Sequence, residues 1–310
     1  MPMWNTDDSR QDAPATARML QLPKIIDERG NLSFIEEFLH IPFKIARAYW
    51  IYDVPGGEVR GSHAFRRQEE FIVAISGSFD VVLDNGGSQM RYPLNRSYMG
   101  VYVPPMTWRT LENFSTNSLC LVLSSQPYDP EDYIWDYEAF RQMPRLCGSA
   151  PLRQEEETPV APMLSSTVYD CNIFELPKVH NRSGNLTALN NGVEVPFDVK
   201  RVYYTYDIPS GVMRGGHAHR RLQQYLVAAG GSFDVLLDDG NTKKLVHVDR
   251  PNYALHIVPG IWRELLNFSS CAVCLVLASE RYDEADYIRN YDAFITYKQG
   301  LRRPVYNTYK

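Results

Sequence analysis

Residues 214–240 read RGGHAHRRLQQYLVAAGGSFDVLLDDG, and residues 60–86 read RGSHAFRRQEEFIVAISGSFDVVLDNG. The two stretches lie 154 positions apart and agree at 16 of 27 positions. Each breaks into short blocks of Val, Ile, Leu, Phe and Tyr separated by Gly, Asp and Asn, the pattern of strands joined by tight turns. DNGG (84–87) and DDGN (238–241) supply hairpin-type turn residues. A repeat this long is a duplicated domain and not a solenoid unit.

The register extends in both directions. Leu22-Pro23-Lys24 matches Leu176-Pro177-Lys178, Gly30 matches Gly184, Trp108-Arg109 matches Trp262-Arg263, and DYIWDYEAF (132–140) matches DYIRNYDAF (286–294). Further strand-like runs such as ARAYWIYDV, SLCLVLSS, KRVYYTYDI and AVCLVLAS occur in both halves. Many short strands at this spacing predict an all-β chain of two sandwiches or barrels. Each copy is predicted to end in a short helix, near 130–141 and 284–297, where DYIxxYxxF spaces its apolar residues helically. The predicted division is a disordered polar leader at 1–17, a first domain at 18–141, a Pro- and Glu-rich linker at 142–166, and a second domain at 167–310. Each domain is large enough for its own core.

Composition narrows the function classes. The chain is 44% hydrophobic and 22% charged with a net charge of −5, which speaks against nucleic acid as a partner. No apolar run reaches the roughly 20 residues that span a bilayer, and the first residues lack the basic-then-apolar order of a signal peptide. The five cysteines suggest no disulfide framework, and Cys271 and Cys274, within CAVCLVLAS, read as core residues of a strand. The expected location is the cytoplasm.

The two copies part at a chemically decisive point. His217 and His219 stand where the first copy has His63 and Phe65. Residues two apart in a strand share a face, so the two histidines project together, with Arg214 before them and Arg220-Arg221 after. Such a pair fits half of a metal site, an acid/base site, or two solvent-exposed histidines on an edge strand. Acid/base work suits a group that titrates near neutral pH, and arginines can hold a phosphate or an oxyanion.

Taken together, RVYYTYDIPSGVMRGGHAHRRLQQYLVAAGGSFDVLLDDG, VPGIWRELLNFS and CLVLASERYDEADYIRNYDAF closely resemble the sugar-nucleotide 3,4-ketoisomerases. These are cupin-fold relatives of the dTDP-sugar epimerases. The resemblance covers residues 172–297 and, more weakly, 18–141. It implies two tandem cupin (jelly-roll β-barrel) domains, each with a short C-terminal helix. The implied reaction moves the keto group of dTDP-4-dehydro-6-deoxyglucose from C4 to C3 through a cis-enediol, without cofactor or metal, toward a dTDP-3-amino sugar. It also implies His219 as principal base with His217 beside it. Arg201, Tyr203, Tyr204, Tyr206, Arg214, Arg220 and Arg263 are the expected substrate-binding residues. Alternation sends Tyr204 and Tyr206 to one face and Tyr203 to the other, leaving open which face lines the pocket. Arg47, Arg60, His63 and Arg109 are the first-domain counterparts.

Departures from the family pattern matter as well. Metal-binding cupins add a Glu and a further His to the His-x-His, whereas this chain has Gln223-Gln224 and Arg263 there, and an arginine has no lone pair to offer. Ketoisomerases usually carry His after the later Trp; here it is Arg109 or Arg263. Phe65 is expected to leave the first domain non-catalytic, retained as the structural half of a built-in pseudo-dimer. Two other functions stay open: a 3,5-epimerase-like reaction on the same substrate, although no acidic residue adjoins the HAH run, and a non-catalytic nucleotide-sugar-binding module.

Overall fold

A computed structural model describes residues 16–143 and 166–301 of the chain. The leader at 1–17 and the linker at 142–166 therefore fall almost wholly outside the described residues. The rest is built from four antiparallel sheets, two of seven strands and two of five. Each half contributes one cupin-like domain, a larger sheet facing a smaller one, with a short helix after its last strand.

The predicted hairpins form. Phe79–Asp84 pairs with Gln89–Leu94, and Phe233–Asp238 pairs with Lys243–Val248. At the second turn Asp238 Oδ1 accepts a hydrogen bond from the Gly240 amide at 2.7 Å, the local side-chain-to-backbone bond that favours Asp at such turns. The C-terminal segments differ from their predicted form. Pro130–Asp132 and Glu284–Asp286 are single 3-10 turns, followed by two-residue strands at Tyr133–Ile134 and Tyr287–Ile288. Helix begins only at Tyr137–Gln142 and Tyr291–Leu301. Pairing of Ile134 with Ala64 and of Ile288 with Ala218 holds the preceding residues extended. The Asp136 side chain then caps the first helix by accepting from the Ala139 amide at 2.8 Å. Cys274 is buried as expected for a core residue; Cys271 is exposed because it sits in a turn with φ 57°.

Strand pairing crosses between the copies. One seven-stranded sheet holds Arg18–Gln21, Met99–Val103, Glu70–Ser76, Leu119–Ser124 and Arg47–Tyr52 from the first copy, then Gly184–Asn190 and Lys178–Asn181 from the second. The other holds Ile173–Glu175, Tyr253–Ile257, Gln224–Gly230, Val273–Ala278 and Arg201–Tyr206, then Asn31–Glu36 and Lys24–Ile25 from the first copy. Each copy thus places its first hairpin in the other's sheet. The registers correspond: Asn185–Asn190 runs against Tyr52–Arg47, and Asn31–Glu36 against Tyr206–Arg201.

This exchange gives the receiving strands two buried faces. In Arg47–Tyr52 every residue is buried; Tyr49 and Ile51 point into the first barrel, while Trp50 and Tyr52 point into a core shared by both halves. The shared core also takes Tyr204, Tyr206, Leu189, Val199 and Tyr225 from the second copy. Trp50 donates its indole N–H to the Pro251 carbonyl across the two copies at 2.8 Å. The turn of each exchanged hairpin contains a glycine with φ 107°, Gly30 and Gly184. A Cβ at Gly184 would meet the Asp53 and Tyr52 carbonyl oxygens at 2.9 and 3.0 Å, so backbone approach and positive φ both require glycine there. Among the described residues no helix is long and apolar enough to cross a membrane.

Candidate active site

The strand Arg214–His219 runs between Trp262–Leu266 and Tyr287–Ile288 in the smaller second sheet. Alternation brings His217 and His219 to one face with ring centroids 4.9 Å apart and planes near perpendicular. His219 is 4% exposed. Its Nδ1 lies 3.0 Å from Asp286 Oδ2, and its Nε2 is buried with no hydrogen-bond partner. Asp286 also accepts from the Arg221 and Leu222 amides at 2.7 and 3.3 Å. Burial works to raise the Asp286 pKa, but the hydrogen bonds from His219 and these amides outweigh it and leave the carboxyl below its usual value. An anionic Asp286 fixes the proton of His219 on Nδ1, which leaves Nε2 as the basic atom.

His217 is half-buried, less enclosed than His219. Arg263 from the neighbouring strand donates Nη1–H to His217 Nε2 and Nη2–H to the Tyr203 hydroxyl at 3.2 Å. Gln224 donates to the same hydroxyl at 2.8 Å. Arg201 reaches the Tyr287 hydroxyl at 3.3 Å and lies over the Tyr203 and Tyr282 rings. The Tyr287 ring packs 4.3 Å from His219 and 5.0 Å from His217, with Arg289 stacked on it at 4.3 Å. The result is two imidazoles walled by Tyr203, Tyr287 and three guanidinium groups.

Burial first, and then the Arg263 and His219 charges, push the His217 pKa well below 6.5. Burial likewise lowers His219 to about 4, against the opposing pull of Asp286. Both rings are therefore neutral at pH 7 and able to accept a proton. The same shifts govern stability. Below pH 6.5 the unfolded chain takes up protons that these buried rings refuse, so unfolding becomes easier as pH falls. Stability is expected to be full above pH 6.5 and to decline through the window from 6.5 to about 4. Urea midpoints at about pH 7.5, 6 and 5 measure this, and H217N/H219N should flatten part of the slope.

The residues singled out from sequence divide cleanly. His217, His219, Arg201, Tyr203 and Arg263 converge. Tyr204 and Tyr206 do not: they point to the opposite face of their strand, into the shared core, where Tyr204 donates to the Ser97 carbonyl and Tyr206 lies 3.2 Å from Ser33 Oγ. Arg220 follows the strand and stacks on Tyr297 of the last helix, away from the histidines. Arg214 is half-buried at the strand's start and donates to the Arg29 carbonyl at 2.9 Å, a contact with the exchanged hairpin of the first copy. Asp286, Tyr287, Gln224 and Arg289 had no assigned site role. The repeated DYI run carried the signal for Asp286 and Tyr287, and the expectation that no acid adjoins the HAH run is corrected by Asp286, which lies beside it in space though 67 residues away in sequence. Among the described residues no three His, Cys, Asp or Glu side chains gather to hold a metal ion.

The first copy arranges the corresponding residues differently. His63 is 6% exposed, both ring nitrogens lack partners, and Phe65, Tyr133 and Trp135 surround it. Arg47 donates to the Tyr133 hydroxyl at 3.1 Å, and Arg60 to Asn181 of the exchanged second hairpin at 2.8 Å. Arg109 is held by Glu70, with Nε 2.5 Å from Oε2. Asp132 keeps the backbone bonds of its counterpart, accepting from the Arg67 and Gln68 amides at 3.0 Å each, but no histidine bonds to it among the described residues.

The family pattern described as FdtA (WxcM-like, C-terminal) matches residues 15–145 and again 169–299. The chain belongs to the FdtA family. Both copies carry the match, so this FdtA-family chain is a tandem form. It is similar to the TDP-4-oxo-6-deoxy-alpha-D-glucose-3,4-oxoisomerase of Aneurinibacillus thermoaerophilus, 43% identical over 125 residues that make up 40% of this chain and 90% of the relative. Among solved structures it is similar to the sugar 3,4-ketoisomerase QdtA of Thermoanaerobacterium thermosaccharolyticum in complex with TDP. There the identity is 36% over 44% of this chain and 100% of that one, with a TM-score of 0.43. It is also similar to the WlaRB TDP-quinovose 3,4-ketoisomerase of Campylobacter jejuni, 46% identical over 41% of this chain and 98% of that one, TM-score 0.40.

Proposed function

We propose that the chain is a dTDP-4-dehydro-6-deoxyglucose 3,4-ketoisomerase whose second copy does the chemistry. The observation that carries the reading is His219, buried and neutral, with Nδ1 held by Asp286 and Nε2 unpartnered beside His217 and Arg263. Membership of the FdtA family and the named activity of the Aneurinibacillus relative support the substrate class.

The C4 carbonyl makes the C3 proton acidic. His219 Nε2 takes that proton; the C–H electrons form the C3–C4 double bond and the carbonyl pair moves to O4. Arg263, with Arg201 nearby, stabilises the resulting enediolate. Protonation at C4 from the histidine pair, with loss of the O3 proton and protonation of O4, leaves a ketone at C3 and a hydroxyl at C4. Neutral imidazoles suit both directions of transfer, because each can accept a proton at pH 7 and release it again. The 3-keto product is the substrate form needed by an aminotransferase that installs a 3-amino group. The first copy, with Phe65 where the base stands in the second, supplies sheet and core to its neighbour.

The Asp286–His219 pair also favours a second reading, a 3,5-epimerase-like enzyme, since that reaction likewise needs a base to remove protons alpha to the C4 carbonyl, at C3 and C5. One proton NMR time course in D2O with dTDP-4-dehydro-6-deoxyglucose separates the readings. A 3-keto product carrying deuterium at C4 is the expected result. Exchange at C5 would replace the isomerase with the epimerase reading, and unchanged substrate that still binds would leave a binding module.

A further inference from the structure

The two copies differ at a second site position besides the one that holds Phe65 in the first and His219 in the second. Glu70 and Gln224 open equivalent strands and lie in the same register, opposite Ser124 and Val103 in one copy and Ala278 and Ile257 in the other. Both are 1% exposed. Around them Tyr49 corresponds to Tyr203, and Arg109 to Arg263. A carboxylate stands in the first copy where an amide stands in the second.

The consequences for the arginine are opposite. In the first copy Glu70 Oε2 takes Arg109 Nε at 2.5 Å, and Oε1 accepts from the Tyr49 hydroxyl at 2.7 Å. Arg109 spends its remaining donors on Tyr49 at 2.7 Å and the Gly61 carbonyl at 3.1 Å. Its charge is neutralised in place and none of its hydrogen bonds goes to His63. In the second copy Arg263 makes no ion pair among the described residues. Arg263 Nε and Gln224 Oε1 are both buried without partners, and the guanidinium turns to His217 instead. A cation left without a counter-ion beside two neutral imidazoles is available to a developing oxyanion; one held by a buried carboxylate is not.

We infer that Gln224 is a positioning residue that leaves Arg263 free to act, and that Glu70, together with Phe65, disarms the first copy by capturing Arg109. This deepens the isomerase reading and rests on it. The first copy has then lost two functions, the base and the free cation, and F65H alone should not revive it.

Q224E and Q224A test the inference in the active copy. Glu is nearly isosteric with Gln, so a purely structural role makes Q224A the more damaging change. Capture of Arg263 predicts the reverse order: kcat down by about 100-fold or more in Q224E and by no more than about 10-fold in Q224A. Q224A as damaging as Q224E would overturn it. A second readout does not use turnover. If the new carboxylate draws Arg263 away, the His217 ring, followed by histidine NMR, should titrate at a higher pH in Q224E than in the wild type or Q224A, because the guanidinium charge that holds its pKa down has moved. Absence of that shift also overturns the inference. Wild-type chain that leaves the sugar unchanged while the His217 shift still appears would sink the isomerase reading and leave the capture intact. In an H217N/H219N background, F65H/E70Q should exceed F65H in C3 proton exchange by about 10-fold or more, and equal rates would count against the role of Glu70.

Discussion

H219N is expected to lower kcat for C3 proton exchange by about 10³-fold, within the range that a positioned general base contributes. Asparagine keeps a polar group against Asp286 but supplies no basic nitrogen, so substrate binding should change far less than turnover. Single-turnover exchange of the C3 proton in D2O measures the step directly. H217N should also slow product formation, through delivery at C4, while retaining more C3 exchange than H219N. If H217N loses C3 exchange and H219N keeps it, the roles of the two histidines are reversed. D286N should fall between them, because the amide can leave His219 in the wrong tautomer without removing it. Whatever exchange survives in H217N/H219N measures the first copy's own contribution.

The second large effect concerns the halves. A fragment ending at residue 143 is expected to have no cooperative unfolding transition as a monomer. It would carry the hairpin Lys24–Glu36 with no second-copy sheet to receive it, and the Arg47–Tyr52 strand with an open edge. Trp50, Tyr52, Phe71, Val73 and Leu121 would lose their cover from Leu189, Val199, Tyr204 and Tyr206. Uncovering a single large core side chain costs about 2 kcal/mol or more, against a total stability of about 5–15 kcal/mol for a domain. Urea titration followed by tryptophan fluorescence, at protein concentrations low enough to keep the fragment monomeric, provides the check. A fragment as stable as the full chain would mean that the shared core contributes little. Mixing it with a fragment that begins at residue 167 should restore the transition.

Much of this architecture was legible because each copy helps to interpret the other. Sixteen shared positions of 27, hairpin turns at matching sites and alternating apolar residues located the strands. The histidine pair and Arg263 could be found because residue type and a period of two are local properties. Strand exchange could not be found that way. Lys24–Glu36 and its counterpart have the same pattern whichever sheet receives them, and only tertiary packing chooses. Asp286 was hidden for a related reason: Asp132 occupies the same place in a copy without the second histidine, so the repeat made the DYI run look structural. The tyrosines illustrate how far alternation reaches. It separates Tyr203 from Tyr204 and Tyr206, yet both sides of that strand are largely buried, so burial pattern alone does not say which side holds the site.

Exchange of hairpins between separate chains is a bimolecular equilibrium and weakens on dilution. Here donor and acceptor belong to one polypeptide, and the connection between them replaces bulk concentration by an effective one of about millimolar scale. The Arg29 carbonyl that meets Arg214 arrives by this route, so its contact with the second copy does not depend on how many molecules are present. Turnover per chain should then remain constant down to nanomolar enzyme, a regime in which a dissociable pair built on the same exchange would come apart and lose the strand that borders its site.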